Sequence, residues 1–276
     1  MNPATNLVIA ADVRELFLTA GFKDFADFME MADGRHICHK RGRSVYRFEV
    51  GSRAFYLKRN RFHRVEFFKG LLRFRLFRRE AVREWRNILM IRDAGIPTIT
   101  PVAMGARYCF GFETASFIVS EELYGSEPLD RLLRRRLGPL RGRDRRRLKG
   151  HYLPRVADIA RTLHDSGLNH QDFYLSHFYA DDGEGLFLID LQRVMHRFRV
   201  PLRYQVKDLA QLNYSAEMTG VLTRADRMRV FHRYLGVSKL CAADKILLRK
   251  ILAKSGRIAK HTVKLLERRR RRGEIL

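Results

Sequence analysis

The sequence contains few cysteines and no long apolar run. Its three cysteines, Cys38, Cys109 and Cys241, are scattered and form no C-x-x-C pair, which argues against structural zinc and indicates a reducing compartment. No stretch of about 18 apolar residues occurs, so no transmembrane helix is expected. The N-terminus lacks a basic segment followed by a long apolar core, so no signal peptide is predicted. These absences favour a cytoplasmic protein that is at most peripheral to a membrane.

Positive charge, in contrast, is abundant. The chain has 55 Lys and Arg residues against 30 Asp and Glu residues, a net charge of +25 over 276 residues. Such an excess implies an anionic partner, which can be nucleic acid, a membrane surface, lipid phosphate or an acidic protein. Nucleic-acid binding is supported by charge alone, because the sequence has no zinc finger, RNA-binding aromatic motif or basic zipper.

The most specific pattern lies between residues 167 and 191. Asp172 follows His170 closely, and His177 comes five residues later. Two short strands are predicted, His177–Ala180 and Leu186–Leu191, and Asp190 lies near the end of the second. This is the order of the catalytic loop and metal-binding aspartate in protein kinases. Asp172 suits the base that orients the accepting hydroxyl and takes its proton. Asp190 suits a Mg²⁺ ligand, with His177 where a kinase has asparagine. Taken singly, each aspartate is better explained as a turn or strand-end residue, and only the joint pattern favours catalysis.

Three segments resemble the lipopolysaccharide core sugar kinases, the heptose/Kdo kinase family of protein-kinase-like enzymes. They are His170-Gln-Asp172-Phe-Tyr174-x-x-His177-Phe178, beside the family's H-R-D-x-Y-x-x-H-F; Leu188-Ile-Asp190-Leu-Gln-Arg193, beside V-I-D-L-H-R; and Lys207-Asp208-Leu-Ala-Gln-Leu with Tyr214-Ser-Ala216, beside K-D-L-A-x-L…F-S-A. Gln171 replaces the usual Arg and Gln192 the usual His, and neither change removes a catalytic carboxylate.

The resemblance implies an α+β, bilobal protein-kinase-like fold. A small β-rich N-lobe, residues 1–120, would hold the nucleotide-binding sheet and helix, and a mostly helical C-lobe, residues 121–276, the catalytic loop, metal site and acceptor site. The implied reaction is ATP- and Mg²⁺-dependent phosphorylation of a heptose or Kdo hydroxyl in the lipopolysaccharide inner core. A lipid A-linked acceptor at the inner face of the inner membrane would rationalise the basic surface.

The same resemblance assigns supporting roles around the loop. His170 is expected to be a structural hydrogen-bonding histidine, and Asp208 to accept hydrogen bonds from the loop backbone. A catalytically inactive kinase-like scaffold is the alternative. The retention of Lys58, Asp172 and Asp190 together argues against it.

Three alternating segments near the N-terminus predict strands: His36–Lys40, Ser44–Val50 and Arg53–Arg59. Gly42 lies between the first two, where a kinase has its glycine-rich phosphate loop, although an ordinary hairpin explains a single glycine equally well. Lys58, near the end of the third strand, is expected to contact nucleotide phosphates.

A helix predicted over residues 80–94 is expected to supply the carboxylate partner of Lys58. Glu84 is the preferred partner, because Glu84-Trp85 resembles the family's E-W pair, and Glu80 is the alternative. Glu121 and Glu122 end the strand that resembles the one leading into a kinase hinge, where backbone groups meet the adenine.

Two basic stretches have open interpretations. Residues 61–79 combine arginines with aromatic residues in an amphipathic pattern, which suits either a membrane interface or packing on the lobe. The Arg-dense stretch 130–149 predicts either an anion-binding surface or a solvated helix.

Overall fold

An antiparallel sheet organises the first part of the chain. The computed structural model describes residues 4–40, 42–61, 80–181, 183 and 185–273. The sheet has six strands in the order β1-β5-β6-β4-β3-β2. They are β1 Ala4–Ile9, β2 Arg35–Lys40, β3 Arg43–Val50, β4 Arg53–Arg61, β5 Pro101–Cys109 and β6 Phe112–Glu121. The three strands predicted between residues 36 and 59 are confirmed to within two residues, whereas β1 is a strand that the sequence pattern does not reveal.

Among the described residues, three helices accompany the sheet: α1 Ala11–Thr19, α2 Phe25–Glu30 and α3 Glu80–Asp93. The side chains of Phe55 and Leu57 on β4 are fully buried in an aromatic core that includes residues of α1 and α2. Its largest members are six phenylalanines: Phe17, Phe25, Phe28, Phe48, Phe55 and Phe117. Because successive strand residues point to opposite faces, Lys58 projects from the face of β4 opposite to this core.

The remainder of the described chain is mostly helical. Its helices are α4 Leu129–Leu137, α5 Gly142–Asp165, α6 Leu202–Met218, α7 Arg224–Leu235 and α8 Ala242–Arg271. Helix α5 packs against α7, and α6 packs against α8. Short strands complete it, namely β7 Glu127–Pro128, β8 Leu168–Asn169, β9 Phe178–Ala180, β10 Leu186–Leu188 and β11 Met195–His196. The predicted α+β class, β-rich first and helical afterwards, is confirmed.

The residues separate into two units. Unit 1 contains the described residues up to Met90 together with Thr98–Tyr124. Unit 2 contains Ile91–Pro97 and the described residues from Gly125 onward. Unit 1 therefore holds Lys58 and Glu84, and unit 2 holds Asp172 and Asp190.

The segment around the two aspartates is less regular than predicted. His177 ends a 3₁₀ helix, Leu175–His177, and so precedes the strand that it was expected to begin. The next strand stops at Leu188 and does not reach residue 191. Asp190 then adopts a left-handed conformation with φ of 58°, which ends the extended backbone.

Most of the basic aromatic stretch 61–79, from residue 62 on, lies outside the described residues. Within the described part of the chain, no helix is long and apolar enough to cross a membrane. The Arg-dense stretch 130–149 forms most of α4 and the first turns of α5.

Candidate active site

Lys58 and Glu84 form an ion pair in unit 1. The Lys58 ammonium lies 2.7 and 2.6 Å from the two Glu84 carboxylate oxygens. The side chains are only 12% and 9% exposed, so each charge depends on the other for compensation. Glu80, the alternative partner, pairs with Arg83 at 2.9 Å. The strand-to-helix ion pair that the sequence predicts is therefore made by Glu84.

Gly42 occupies the turn between β2 and β3. Its φ is +76°, in the left-handed region that glycine adopts without strain. Its carbonyl oxygen accepts a hydrogen bond from the Arg61 amide at 2.7 Å. Gly42 thus lies in the turn where the phosphate loop is predicted, and whether it contacts nucleotide stays a prediction.

Glu121 and Glu122 are engaged within unit 1. Arg53 donates to the Glu121 carboxylate at 3.0 Å, and Arg47 donates to both oxygens of Glu122 at 2.8–3.1 Å. The hydrogen bonds from Arg47 lower the pKa of Glu122. The side chains of both glutamates therefore stabilise unit 1.

The backbone amides of these two glutamates are also occupied. The Glu121 amide donates to the Thr100 carbonyl and the Glu122 amide to the Ala54 carbonyl, both at 2.9 Å. An adenine base could accept from either amide only if one of these hydrogen bonds broke. A role for this pair in adenine binding stays a prediction.

Asp208 anchors the loop of unit 2. Its fully buried carboxylate accepts hydrogen bonds from the amides of His170 and Gln171, at 2.7 and 2.8 Å. A buried carboxylate is tolerated only when such donors satisfy it. Gln171 has φ of 70°, a conformation that residues other than glycine rarely adopt. Asp208 makes the backbone contact expected of it and holds this turn in place.

His170 links the loop to the residue before Asp190. Its Nδ1 accepts a hydrogen bond from the Asp172 amide at 3.3 Å, so Nε2 carries the proton and donates to the Ile189 carbonyl at 3.0 Å. Complete burial lowers the pKa of His170, which keeps the ring neutral. These contacts fit a structural histidine.

Two further side chains on α6 fasten the loop, and sequence reasoning assigned them no role. Gln211 accepts from the Phe173 amide at 3.0 Å and donates to the Gln171 carbonyl at 2.9 Å. Ser215 accepts from the Leu175 amide at 2.9 Å. The signal was present, because both residues lie in the quoted motifs at helical spacing from residue 208.

His177 and Asp190 approach each other across the loop. His177 Nδ1 lies 2.7 Å from the Asp172 carbonyl oxygen, which can only accept, so Nδ1 is the donor. In the neutral ring Nε2 then holds a lone pair, 3.8 Å from Asp190 Oδ2. Both side chains are about a quarter exposed, at 25% and 28%. This pair can therefore share an ion, provided that other ligands complete its shell.

The donor set fits Mg²⁺. Among the described residues, no group of three or more His, Cys, Asp or Glu side chains could hold a metal ion. Mg²⁺ commonly takes only one or two protein carboxylates and completes its shell with waters and substrate phosphates. Asp190 suits it better than His177, because Mg²⁺ prefers oxygen.

The Asp172 carboxylate is held by Arg193, a contact that sequence reasoning missed. Arg193 Nη1 lies 2.9 and 2.8 Å from the two carboxylate oxygens. Gln171 in turn donates to the Arg193 carbonyl at 2.9 Å. Asp172 remains 22% exposed, so a hydroxyl can still reach it. The arginine in V-I-D-L-H-R was the available signal.

Residues 26–234 match the Lipopolysaccharide kinase (Kdo/WaaP) family. The chain belongs to this family. The match extends from α2 to α7 and includes every site residue described above. The predicted family is confirmed, and with it a phosphotransferase that acts on the lipopolysaccharide core.

Full-length relatives and a solved structure agree with this assignment. The chain is 33% identical over 273 residues to lipopolysaccharide core heptose(I) kinase WaaP of Pseudomonas aeruginosa, covering 92% of this chain and 94% of that one. It is 31% identical over 231 residues to WaaP of Escherichia coli K12, covering 80% and 85%. The structure of WaaP in complex with acyl carrier protein has a TM-score of 0.69 at 29% identity and covers 93% of this chain and 98% of that one.

Proposed function

We propose that this chain transfers the γ-phosphoryl group of ATP, with Mg²⁺, to a heptose hydroxyl of the lipopolysaccharide inner core. The observation that carries the proposal is the hydrogen-bonded loop that presents Asp172 beside the His177–Asp190 pair. The names of the relatives favour heptose. Kdo, which the family's name includes, is the other acceptor to test.

On the acceptor side, Asp172 orients the attacking hydroxyl and accepts its proton. Phosphoryl transfer depends mainly on position and charge, so the rigidity of the loop matters as much as the base. Asp208 and Gln211 supply that rigidity by binding the loop amides. His170 stays neutral and supports the loop without exchanging a proton with substrate.

On the donor side, Asp190 and His177 would hold the metal, and Lys58 would contact the nucleotide phosphates. Mg²⁺ would supply positive charge that offsets the negative charge of the phosphates. Glu84 fixes the position of the Lys58 ammonium. Gly42 would let the β2–β3 turn approach the phosphates closely, and residues 121–124 would meet the adenine.

A transfer assay against truncated core oligosaccharides tests the proposal, with the mass and linkage of the product determined. We expect phosphate on a heptose, dependence on Mg²⁺, and loss of product with Asp172→Asn. Asp165→Asn is the matched control, because that carboxylate is 73% exposed on α5 and pairs only weakly with Arg161, at 3.6 Å.

Two other outcomes would contradict the proposal. Nucleotide binding without transfer to any sugar would support the inactive scaffold. Tight binding to random duplex DNA without any nucleotide effect would support the nucleic-acid alternative.

We further propose that the chain binds an acidic acyl carrier protein. The solved relative is in complex with such a protein, and this chain carries a net charge of +25. In unit 2 an apolar cavity, lined by side chains such as Leu153, Leu212 and Phe231, adjoins a groove lined by Arg145, Arg146, Lys149, Arg229 and Arg233. Co-elution with acyl carrier protein, and its loss after Arg145→Glu and Arg146→Glu, would test this partner.

The proposed place of action is the cytoplasmic face of an anionic membrane. Each basic residue near such a surface contributes about 1 kcal/mol, an attraction that falls with salt. We expect salt-sensitive sedimentation with anionic vesicles and weaker binding after charge reversal at Arg73, Arg75 and Arg78. Equal binding to neutral vesicles would contradict the electrostatic account.

A further inference from the structure

Two charged residues of the quoted motifs have no part in the function as proposed so far. Arg193 ends the motif that contains Asp190, and Lys207 precedes Asp208 on α6. Lys207 is partly buried, yet no carboxylate among the described residues pairs with its ammonium. A partly buried ammonium without a carboxylate in ion-pair contact costs free energy, so an anionic ligand would stabilise it.

The charges around Lys207 are mainly positive. Arg193 and Lys254 both act on it, against the carboxylates of Asp172 and Asp208. Two loop amides hold the Asp208 carboxylate in place, and it keeps its negative charge. Burial, followed by the charge of Arg193, lowers the pKa of Lys207. The surroundings therefore hold three cations, Lys207, Arg193 and Lys254, against two carboxylates, Asp172 and Asp208.

Arg193 also has donors to spare. Only its Nη1 binds Asp172, and within the described chain neither Nε nor Nη2 has a partner. A guanidinium presents five N–H donors in a planar fork that matches a carboxylate or a phosphate. Its side chain is 49% exposed, so a ligand can reach the unused edge.

The contacts of Asp172 indicate whether the neighbouring cations face the acceptor sugar or the nucleotide. His177, half of the proposed metal pair, contacts the backbone carbonyl of Asp172. Arg193 contacts its carboxylate. The acceptor hydroxyl must approach that carboxylate, so Arg193 faces the acceptor, whereas His177 and Asp190 face the nucleotide. Lys207 is near enough to Arg193 and Asp172 for the charges of both to act on it.

We propose that Arg193 and Lys207, supported by Lys254, form a subsite beside Asp172 for an anionic group on the acceptor sugar. The ligand is a carboxylate or a phosphate close to the hydroxyl that is phosphorylated. The inference rests on the proposed function, because it names the class of acceptor used at the same site. It also explains why so much positive charge surrounds a catalytic base.

Three synthetic acceptors that differ in one group test the subsite: a sugar with a neighbouring carboxylate, the same sugar with a phosphate monoester, and the same sugar with a neutral carboxamide. The quantity measured is the ratio of kcat/KM for a charged acceptor to that for the neutral one. A hydrogen bond to a charged group corresponds to about a tenfold to hundredfold preference in the unaltered enzyme. Comparison of the kcat/KM ratios for the carboxylate and phosphate acceptors identifies the group that the subsite prefers.

Lys207→Gln is the decisive variant, because Lys207 does not touch Asp172 directly. We expect it to bring the ratio close to one for the acceptor that the unaltered enzyme prefers. Arg193→Lys should lower the ratio partly, because lysine keeps the positive charge but lacks the planar set of donors that binds a carboxylate or phosphate through two hydrogen bonds. Lys250→Gln is the control, an exposed lysine on α8, and should leave the ratio unchanged. Thermal melts establish that each variant is folded.

Two results would overturn the subsite alone. The first is equal transfer to charged and neutral acceptors by the unaltered enzyme. The second is an unchanged ratio in Lys207→Gln with a raised KM for ATP, which would assign the cations to the nucleotide. Absence of transfer to every acceptor would instead overturn the proposed function, and the subsite with it.

Discussion

Unit 1 and unit 2 hold their charged side chains by different means. In unit 1, Lys58 lies on a regular strand, and the pairing of this strand with β3 and β6 fixes the position of the Lys58 backbone. One ion pair with Glu84 fixes the position of its ammonium group. In unit 2, Asp172 and Asp190 lie on irregular backbone, and α6 side chains bind the amides around Asp172. The sheet positions a residue through repeated backbone pairing, whereas the loop depends on a few individual hydrogen bonds.

This difference predicts how each unit responds to substitution. A change on the strand should remove one function and leave the strand in place, because the ladder does not use the side chain. A change in the α6 contacts should move several loop residues together, because each buried amide that loses its acceptor must find another.

The largest effect is expected from Asp172→Asn. The substitution preserves size and removes the proposed base, and general-base catalysis is worth about 10²–10⁴-fold, so turnover should fall by that factor. Nucleotide affinity should survive, because Asp172 is not expected to hold the phosphates. Single-turnover rates beside nucleotide titrations measure both quantities. Loss of nucleotide affinity would reverse the role assigned to this aspartate.

Asp190→Asn should act on both turnover and nucleotide binding. Groups that merely support a metal ligand are worth about 10–100-fold in metal affinity, so loss of the ligand's own charge should weaken Mg²⁺-dependent nucleotide binding by at least about tenfold. Titration of ATP with and without Mg²⁺ checks this. Unchanged Mg²⁺ dependence would remove Asp190 from the metal site.

Asp208→Asn probes the loop of unit 2 without touching substrate. An amide side chain cannot accept from both loop amides, and hydrogen bonds to charged groups contribute about 1.5–3 kcal/mol each. We expect the free energy of unfolding to fall by about that amount, together with turnover. Asp158→Asn, which breaks only an exposed pair with Arg233, is the control. Full turnover in the Asp208 variant would show that the loop does not depend on this contact.

The smallest effect on the fold is expected in unit 1. Lys58→Met leaves the Glu84 carboxylate unpaired, which should lower the free energy of unfolding by about 1–3 kcal/mol. The double variant Lys58→Met with Glu84→Met should recover stability but not nucleotide affinity. Urea unfolding and ATP titration separate the two effects. Recovery of nucleotide affinity in the double variant would assign Lys58 a purely structural role.

The sequence predicted the parts of the molecule that depend on local pattern. The β2–β4 strands follow from alternation and hairpin turns. Lys58 was chosen because the order of strand and helix resembles a kinase, and Glu84 because Glu84-Trp85 resembles the family's E-W pair. The Asp208 contact followed from a resemblance, because nothing local to a helix shows which amides its side chain will meet.

The contacts that escaped prediction join distant parts of the chain. Arg193 and Asp172 are 21 positions apart in the sequence, and no local periodicity predicts a contact between them. Strand β1 pairs with β5 almost a hundred residues later, and a short strand at the sheet edge has no neighbouring turn to reveal it. The backbone reversal at Asp190 was missed because aspartate seldom adopts a left-handed conformation.

The face of α6 that carries Asp208, Gln211 and Ser215 limits how this loop can be transferred to another protein. The shape of the loop depends on side chains of that helix as well as on the loop's own sequence. The side chains of these three residues accept hydrogen bonds from four loop amides. A loop moved alone into another scaffold would lose these acceptors. Loop and helix together form the smallest portable unit of this active site, although about 30 residues of chain separate them.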